Sequence, residues 1–241
     1  MGVSEFTASK PRRSYGQYCA LAYGMDVIGE RWTMLLVREL LLGPKRYKDL
    51  LASLHGIGTN LLAARLRELE ALGVVERGIL PPPAGSPVYQ LTEAGQGLEP
   101  VCMAIGRWGA RFLGSPRLAD ELVPSAYFVA MRASFRAEVA GELSETYEFR
   151  IGNRVFEVRV QDGRCFTSEG RATRPDVVMT MDAETLTAVL FQVLSPDEAR
   201  ASGRVSLQGD PAALARFASI FALRGHPFVE FEEGKSGLLQ N

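Results

Sequence analysis

The chain has 241 residues, 46% of them hydrophobic and 23% charged, with a formal net charge of −1. That mixture excludes a disordered or polybasic protein, and the length accommodates two domains of roughly 100 residues each. No apolar run approaches the ~20 residues of a membrane-spanning helix, and no apolar stretch follows the basic N-terminus, so the expectation is a cytoplasmic protein with no membrane partner.

Taken in order, residues 1–16 (MGVSEFTASKPRRSYG) read as a flexible arm. Apolar residues at three- and four-residue spacing predict helices over Cys19 to Ile28 and Trp32 to Leu42, the second stopped by Gly43-Pro44. Arg46 to Leu54 predicts a short helix. Thr59 or Asn60 is expected to cap the next, which runs to Gly73, the glycine position at which helices commonly end. Val74 to Leu80 and Val88 to Leu91 predict two strands joined by PPPAGSP. Thr92-Glu93-Ala94 starts a helix expected to reach Phe112. Residues 17–113 thus form a first domain, and 114–124, with two prolines, a linker.

Beyond the linker the rhythm changes. Ser125 to Ala140 predicts one amphipathic helix. YEFRIGNRVFEVRVQDGRCFTSEG then alternates apolar and polar residues around two hairpin turns, Gly152-Asn153 and Asp162-Gly163. Asp176 to Met181 predicts a further strand. Ala183 to Leu194 and Asp210 to Leu223 predict helices, the second opened by Asp-Pro. Residues 125–230 make the second domain and 231–241 a tail.

Charge is unevenly spread: residues 1–113 carry 13 Lys and Arg against 10 Asp and Glu, residues 114–241 carry 14 against 18. Cys19, Cys102 and Cys165 are odd in number and far apart, with no zinc spacing, so neither a disulfide framework nor a metal site is expected. His55 and His226 lie in no catalytic or metal motif, and GIGTNL lacks the last glycine of a dinucleotide loop. No enzyme and no cofactor is expected.

At 100° per residue, Leu62, Leu66 and Leu69 share one narrow sector of their helix, while Asn60, Ala64, Arg67 and Ala71 lie opposite. With a helix and glycine turn before it and a two-stranded ribbon after it, this segment reads as a helix-turn-helix with a wing. Its partner is then double-stranded DNA, with the N-terminal residues of the helix meeting base edges in the major groove. Candidate DNA-contacting residues are Thr59, Asn60, Ala63, Ala64 and Arg67 on this helix, with Lys45, Arg46, Tyr47 and Lys48 placed for phosphates. The alternative is that Ala63 and Ala64 are plain helix formers on a solvated face and Arg67 pairs with a glutamate.

CALAYGMDVIGERWTMLLVRELLLGPKRYKDLL, TNLLAARLRELEALGVVER and VYQLTEAGQGLEPV together resemble the HxlR-type winged-helix regulators, relatives of the MarR regulators. The resemblance covers roughly Cys19 to Leu113. It implies a homodimeric DNA-binding protein, with dimer contacts from the first helix and from the helix after the wing, where Val101, Ile105, Trp108 and Phe112 sit at helical spacing; two recognition helices in successive major grooves then call for an inverted-repeat operator. Two departures stand out: Gly58, Ala63 and Ala64 replace usual polar residues of the recognition helix, and PPPAGSP has no basic residue. Arg77 at the wing's base is the nearest substitute, and Lys10, Arg12 and Arg13 of the arm, or DNA shape, are further sources of specificity. Cys19 falls where this family often carries a cysteine, seven residues before Asp26, and in some members that residue is a thiol sensor.

FEVRVQDGRCFTSEGRATRPDVVMTMDAETLTAVLFQVLSPDEARASGRVSLQGDPAALARFASIF resembles the sterol-carrier-protein family over about Ala126 to Leu223. The resemblance implies an α+β chain, its C-terminal half a curved antiparallel sheet with helices over one face around an apolar tunnel. Phe156, Val158, Phe166, Val178, Leu186, Val189, Leu190, Leu194, Phe217 and Phe221 are the residues expected to line it around a small hydrophobic ligand. The same residues, as an alternative, simply fill a core. The reading is a dimeric transcription regulator, a repressor responsive to that ligand. A thiol sensor acting through Cys19, or a sequestering protein whose winged helix only dimerises, stand as alternatives.

Overall fold

In the computed structural model, which describes residues 14–83, 85–112 and 122–221, the N-terminal unit opens with helices α1 (Ala20–Ile28), α2 (Thr33–Leu40), α3 (Tyr47–Ser53) and α4 (Thr59–Ala71). Strands β1 (Val75–Ile79) and β2 (Pro87–Leu91) follow as an antiparallel ribbon, then helices α5 (Glu93–Gln96) and α6 (Glu99–Gly109). The chain divides into two units, Met1–Cys102 and Met103–Asn241, the division falling within α6. Arm residues 1–13, Ala84 of the wing, residue 113, residues 114–121 of the expected linker, residues 222–230 of the expected second domain and the tail lie outside the described residues.

Leu36, Val37 and Leu40 of α2, Leu50 of α3, and Leu62, Leu66 and Leu69 of α4 are buried together with Val75 and Val88 of the ribbon. Each such side chain contributes roughly 1.5–3 kcal/mol by leaving water. The expected caps need one correction. Gly58, not Thr59 or Asn60, is the N-cap of α4, with no side-chain cap bond, so both polar residues sit inside the first turn. At the other end Gly73 has φ 68°, its N–H donates to Glu70 O and that of Val74 to Leu69 O. This doubly bonded left-handed ending needs a residue without a Cβ penalty.

The helix expected from Thr92 to Phe112 is broken. Pro100 has no N–H to return to Gln96, so α5 stops and α6 starts afresh. Gly95 lets α5 lie directly on the strand entry, since a Cβ there would stand 2.1 Å from Val74 O. Residues 14–15 of the arm are tied down, with Ser14 Oγ and Tyr15 N donating to the Asp26 carboxylate at 2.8 and 3.0 Å.

The C-terminal unit contains α7 (Pro124–Ser134), α8 (Ala137–Ala140), β3 (Glu145–Ile151), β4 (Arg154–Gln161), β5 (Arg164–Glu169), β6 (Val177–Met181), α9 (Ala183–Leu190), α10 (Pro196–Ala201), β7 (Ser206–Gln208) and α11 (Ala213–Ile220). The strand order is β5-β4-β3-β6-β7. The sheet is mixed rather than antiparallel throughout, because β6 pairs with β3 in parallel. Residues 170–176 carry the chain from edge strand β5 to the far side of β3, where Asp176 N donates to Thr146 O at 2.8 Å. The single helix expected over Ser125 to Ala140 is also split. Phe135 is extended (φ −60°, ψ 127°), its ring 5.8 Å from that of Phe221, and Arg136 N donates to Ile220 O. A tertiary contact outweighs the local periodicity there. Helix α10 was not expected, although Ser195 and Glu198 form the capping box that S-P-D-E spells out.

Tyr147, Phe149, Phe156, Val158 and Met179 face the helices and are fully buried. Phe128 of α7 stacks on Phe156 at 4.1 Å, and Phe217 of α11 meets Phe149 at 4.8 Å and Phe221 at 4.9 Å. At the rim Arg216 joins Glu145 (2.5 Å) and Asp210 (2.6 Å). The Tyr147 hydroxyl donates to Glu145, and burial, with that carboxylate beside it, holds the phenol well above its ordinary range. Among the described residues no helix is long and apolar enough to cross a membrane.

Candidate nucleic-acid interface

Helix α3, the turn through Ile57 and helix α4 form a helix-turn-helix held from inside by Leu50, Leu54, Ile57 and Leu62, all buried. The Tyr47 hydroxyl donates to Thr59 O at 2.7 Å and so fastens the start of α3 to the start of α4. With the leucines inward, Thr59, Asn60, Arg67 and Ala71 are exposed and Ala63 and Ala64 half-buried. Small side chains let a duplex approach the backbone closely. Leu61, also exposed, shares this outward region and is not among the residues expected from sequence.

Two arginines of α4 differ in their surroundings. Arg65 is held by Glu30, 2.7 Å away, and by Glu68, so it ties α4 to the α1–α2 corner. Arg67 is exposed, its Nε donating to Ala63 O at 3.3 Å along the helix. Of the two, Arg67 presents its charge outward.

Lys45 does not belong to this surface. Its side chain is 5% exposed, its ammonium lies 3.3 Å from the buried Glu39 carboxylate, and its backbone bonds Tyr89 in both directions. The residue extends the wing sheet, which turns it inward, and Arg38 meets the same carboxylate at 2.8 Å. The sequence signal for this was Glu39 itself, a carboxylate amid the apolar run of α2, which demands a buried cationic partner. Arg46 and Tyr47 are half-buried, whereas Lys48 is exposed.

On the wing, Arg77 pairs across the ribbon with Tyr89, its guanidinium 5.6 Å from the ring centre. It also grips Glu70 of α4 with two nitrogens, at 2.8 and 3.2 Å, and this hydrogen bonding raises the guanidinium above its ordinary value. Toward the tip Ile79 is exposed.

Val101, Ile105, Trp108 and Phe112 are all exposed on α6 and the 3₁₀ turn after it, Trp108 and Phe112 meeting edge to face at 4.9 Å. Helix α1 independently exposes Leu21, Tyr23 and Met25. Cys19 is exposed at the N-cap of α1, while Cys102 and Cys165 are half-buried. Burial pushes the Cys102 thiol up, partly opposed by Arg38.

Of the residues expected to line a tunnel, Phe156, Val158, Leu186, Val189, Leu190, Phe217 and Phe221 are buried, the last four and Leu186 on or beside α9 and α11. Phe166 is not among them. It is 43% exposed on the opposite face of the sheet, where Arg159 lies over its ring at 5.2 Å. Strand alternation decides this: Cys165 and Thr167 turn toward the helices, so Phe166 turns away. Val178 and Thr180 face outward by the same rule, between the buried Val177, Met179 and Met181. Leu194 is half-buried after α9. A cavity of about 470 Å³ lies elsewhere, bordered by Asp197, Arg200, Val205, Leu207 and Pro211.

A family model described as HxlR-like helix-turn-helix matches residues 27–116, and one described as the SCP-2 sterol transfer family matches residues 132–222. An uncharacterized HTH-type transcriptional regulator of Synechocystis sp. is 34% identical over 98 residues, 41% of this chain and 73% of that protein. The HTH-type transcriptional regulator YodB of Bacillus subtilis is 37% identical over 87 residues, 36% of this chain and 78% of that one. The solved structure of reduced YodB aligns at 32% identity with a TM-score of 0.36, covering 42% of this chain and all of that one (100%).

Proposed function

Because the chain belongs to the HxlR-like helix-turn-helix family, we propose that it is a dimeric DNA-binding transcriptional regulator, a repressor answering to a small hydrophobic molecule held in its C-terminal unit. The observation that carries the reading is the outward side of α4, where Thr59, Asn60 and Arg67 are exposed beside small Ala63 and Ala64. Among the described residues, Arg67 bonds only back to Ala63 O along its own helix, a contact the packing does not require. In a major groove, Asn60 can bond adenine through two atoms and Arg67 guanine or a phosphate. Two copies, each placing α4 in successive major grooves about 34–36 Å apart, call for an inverted-repeat operator.

The match to a sterol transfer family supports the hydrophobic-ligand part of the reading. Leu186, Val189 and Leu190 on α9 and Phe217 on α11 supply an apolar wall for such a molecule. Since the rings of this region pack on one another, a ligand enters by parting them. It acts on DNA binding only if it prefers one arrangement of the dimer over another.

Arg67→Ala is expected to weaken binding to an inverted-repeat duplex selected with the wild-type protein by about 1–3 kcal/mol, roughly 5- to 150-fold. Fluorescence anisotropy at fixed salt measures it. Equal affinities would remove this side of α4 from the interface.

The exposure of Cys19 favours a second reading, a thiol-based switch. Cys19 is expected to react with a chromogenic disulfide reagent on the order of tenfold faster than Cys102, whose thiol burial pushes up. Loss of the fast phase in Cys19→Ser identifies the residue. If oxidation leaves DNA binding unchanged in the wild type, the thiol plays no regulatory part.

A further inference from the structure

Glu70 sits in the last turn of α4 and Arg77 in the middle of β1. Their contact is a fork: Arg77 Nε donates to Glu70 Oε1 at 2.8 Å and Nη2 to Oε2 at 3.2 Å, with Tyr89 beneath the guanidinium. The two ends of the pair are unequally covered. Arg77 is 64% exposed and Glu70 25%, so the arginine stands outermost and the carboxylate behind it. A planar guanidinium grips carboxylate and phosphate with the same two-point geometry. Among the described residues of this unit, two other cations are committed elsewhere: Lys45 to Glu39, and Arg65 to Glu30 and Glu68.

We propose that Glu70 is an internal stand-in for a DNA phosphate, holding Arg77 in the DNA-free protein until a backbone phosphate of the duplex displaces it. The inference rests on the DNA-binding reading above and adds a gate to it. An exposed ion pair is worth at most about fivefold in an equilibrium constant, because water and salt screen it. A phosphate contact also releases a condensed counterion, which favours the exchange at low salt. Once Arg77 has turned to the phosphate, the Glu70 carboxylate is left facing negative charge. Glu70 therefore opposes binding twice, by holding the arginine and by repelling the duplex.

The test uses the full chain and a fluorescein-labelled duplex of mixed sequence, about 40 base pairs long so that it spans successive major grooves. Phosphate contacts do not depend on base sequence, so no operator is needed. Anisotropy titrations at a series of salt concentrations compare the wild type, Glu70→Gln, Arg77→Ala and the double variant. Glu70→Gln is expected to bind about fivefold tighter. Arg77→Ala is expected to bind more weakly, with a log–log salt slope shallower by about 0.9. In the Arg77→Ala background the gain from Gln shrinks. If the pair is instead a strap that aligns the wing, Glu70→Gln weakens binding as Arg77→Ala does, which overturns the gate. An unchanged slope in Arg77→Ala overturns it too. Wild-type protein that fails to bind at low salt sinks the DNA-binding reading itself, a result distinct from either. Circular dichroism checks folding, and Glu70→Ala, which also lacks the charge, serves if the Gln variant does not fold.

Discussion

Phe217→Ala is expected to destabilise the C-terminal unit by about 3–5 kcal/mol, the range for deleting a buried aromatic ring from a packed core. Phe217 is fully buried, and its ring lies 4.8 Å from Phe149, 4.9 Å from Phe221 and 5.7 Å from Tyr147. Those neighbours sit on β3 and just past α11, and strands cannot slide inward to refill the space without breaking ladder bonds. Urea unfolding of the full chain, followed at the later transition if the units separate, gives the number. A loss below ~1 kcal/mol means that the ring borders open space, since only part of its surface is then withdrawn from water. That outcome favours an apolar tunnel already open to a ligand over a core that must part.

In the dimer proposed above, Trp108→Glu is expected to leave monomers and to lower operator affinity on the order of 100-fold or more, because a monomer loses the tethered second half-site. The side chain is 62% exposed, so the change leaves the fold of a single copy largely untouched. The same helix exposes Val101 and Ile105, and Phe112 continues its line. A stripe of large apolar groups costs free energy in water and recovers it against a like stripe, which is how a two-fold interface repeats one patch on both copies. A charge set into such a stripe must be withdrawn from water against the apolar groups of the other copy, which is costly. Sedimentation equilibrium reads the mass. A Trp108→Glu protein that stays dimeric places the interface elsewhere, with α1 and its exposed Leu21, Tyr23 and Met25 as the next candidate.

Most helices and strands were legible because their signals are local. Period-3.6 spacing located α1 to α4, Asn-Gly-like turns located the β3–β5 hairpins, and Leu62, Leu66 and Leu69 all proved buried. Two of the departures have local causes that the periodicity masks, and a third has a distant one. Pro100 ends α5 where apolar spacing runs on, and Ser195 to Glu198 caps α10 in a stretch that looks like loop. Phe135 breaks a regular pattern only because Phe221 waits for it from 86 positions away.

At the candidate interface, sequence separated the inward from the outward side of α4 but could not assign charges to partners. Lys45 and Arg77 look alike in a string, each a cation next to the helix-turn-helix. One is buried on Glu39, six residues back, and the other is shared with Glu70, seven residues back. Whether a lysine points at water or at a carboxylate depends on strand alternation and on where its backbone pairs. That pairing, Lys45 with Tyr89, joins residues 44 positions apart.

The amino-acid sequence by itself determined the division into a winged helix-turn-helix and a sheet-and-helix unit, the periodic faces, and the family. These follow from side-chain spacing and motif order, which short-range backbone geometry converts directly into structure. Only the tertiary structure decided the parallel entry of β6, the outward turn of Phe166 and Val178, and the commitment of Lys45, Arg65 and Arg77 to particular carboxylates. The parallel entry of β6 and the face each strand residue takes are set by register, where a shift of one residue would reverse the face, and the ion pairs are set by how the strands and helices pack around them.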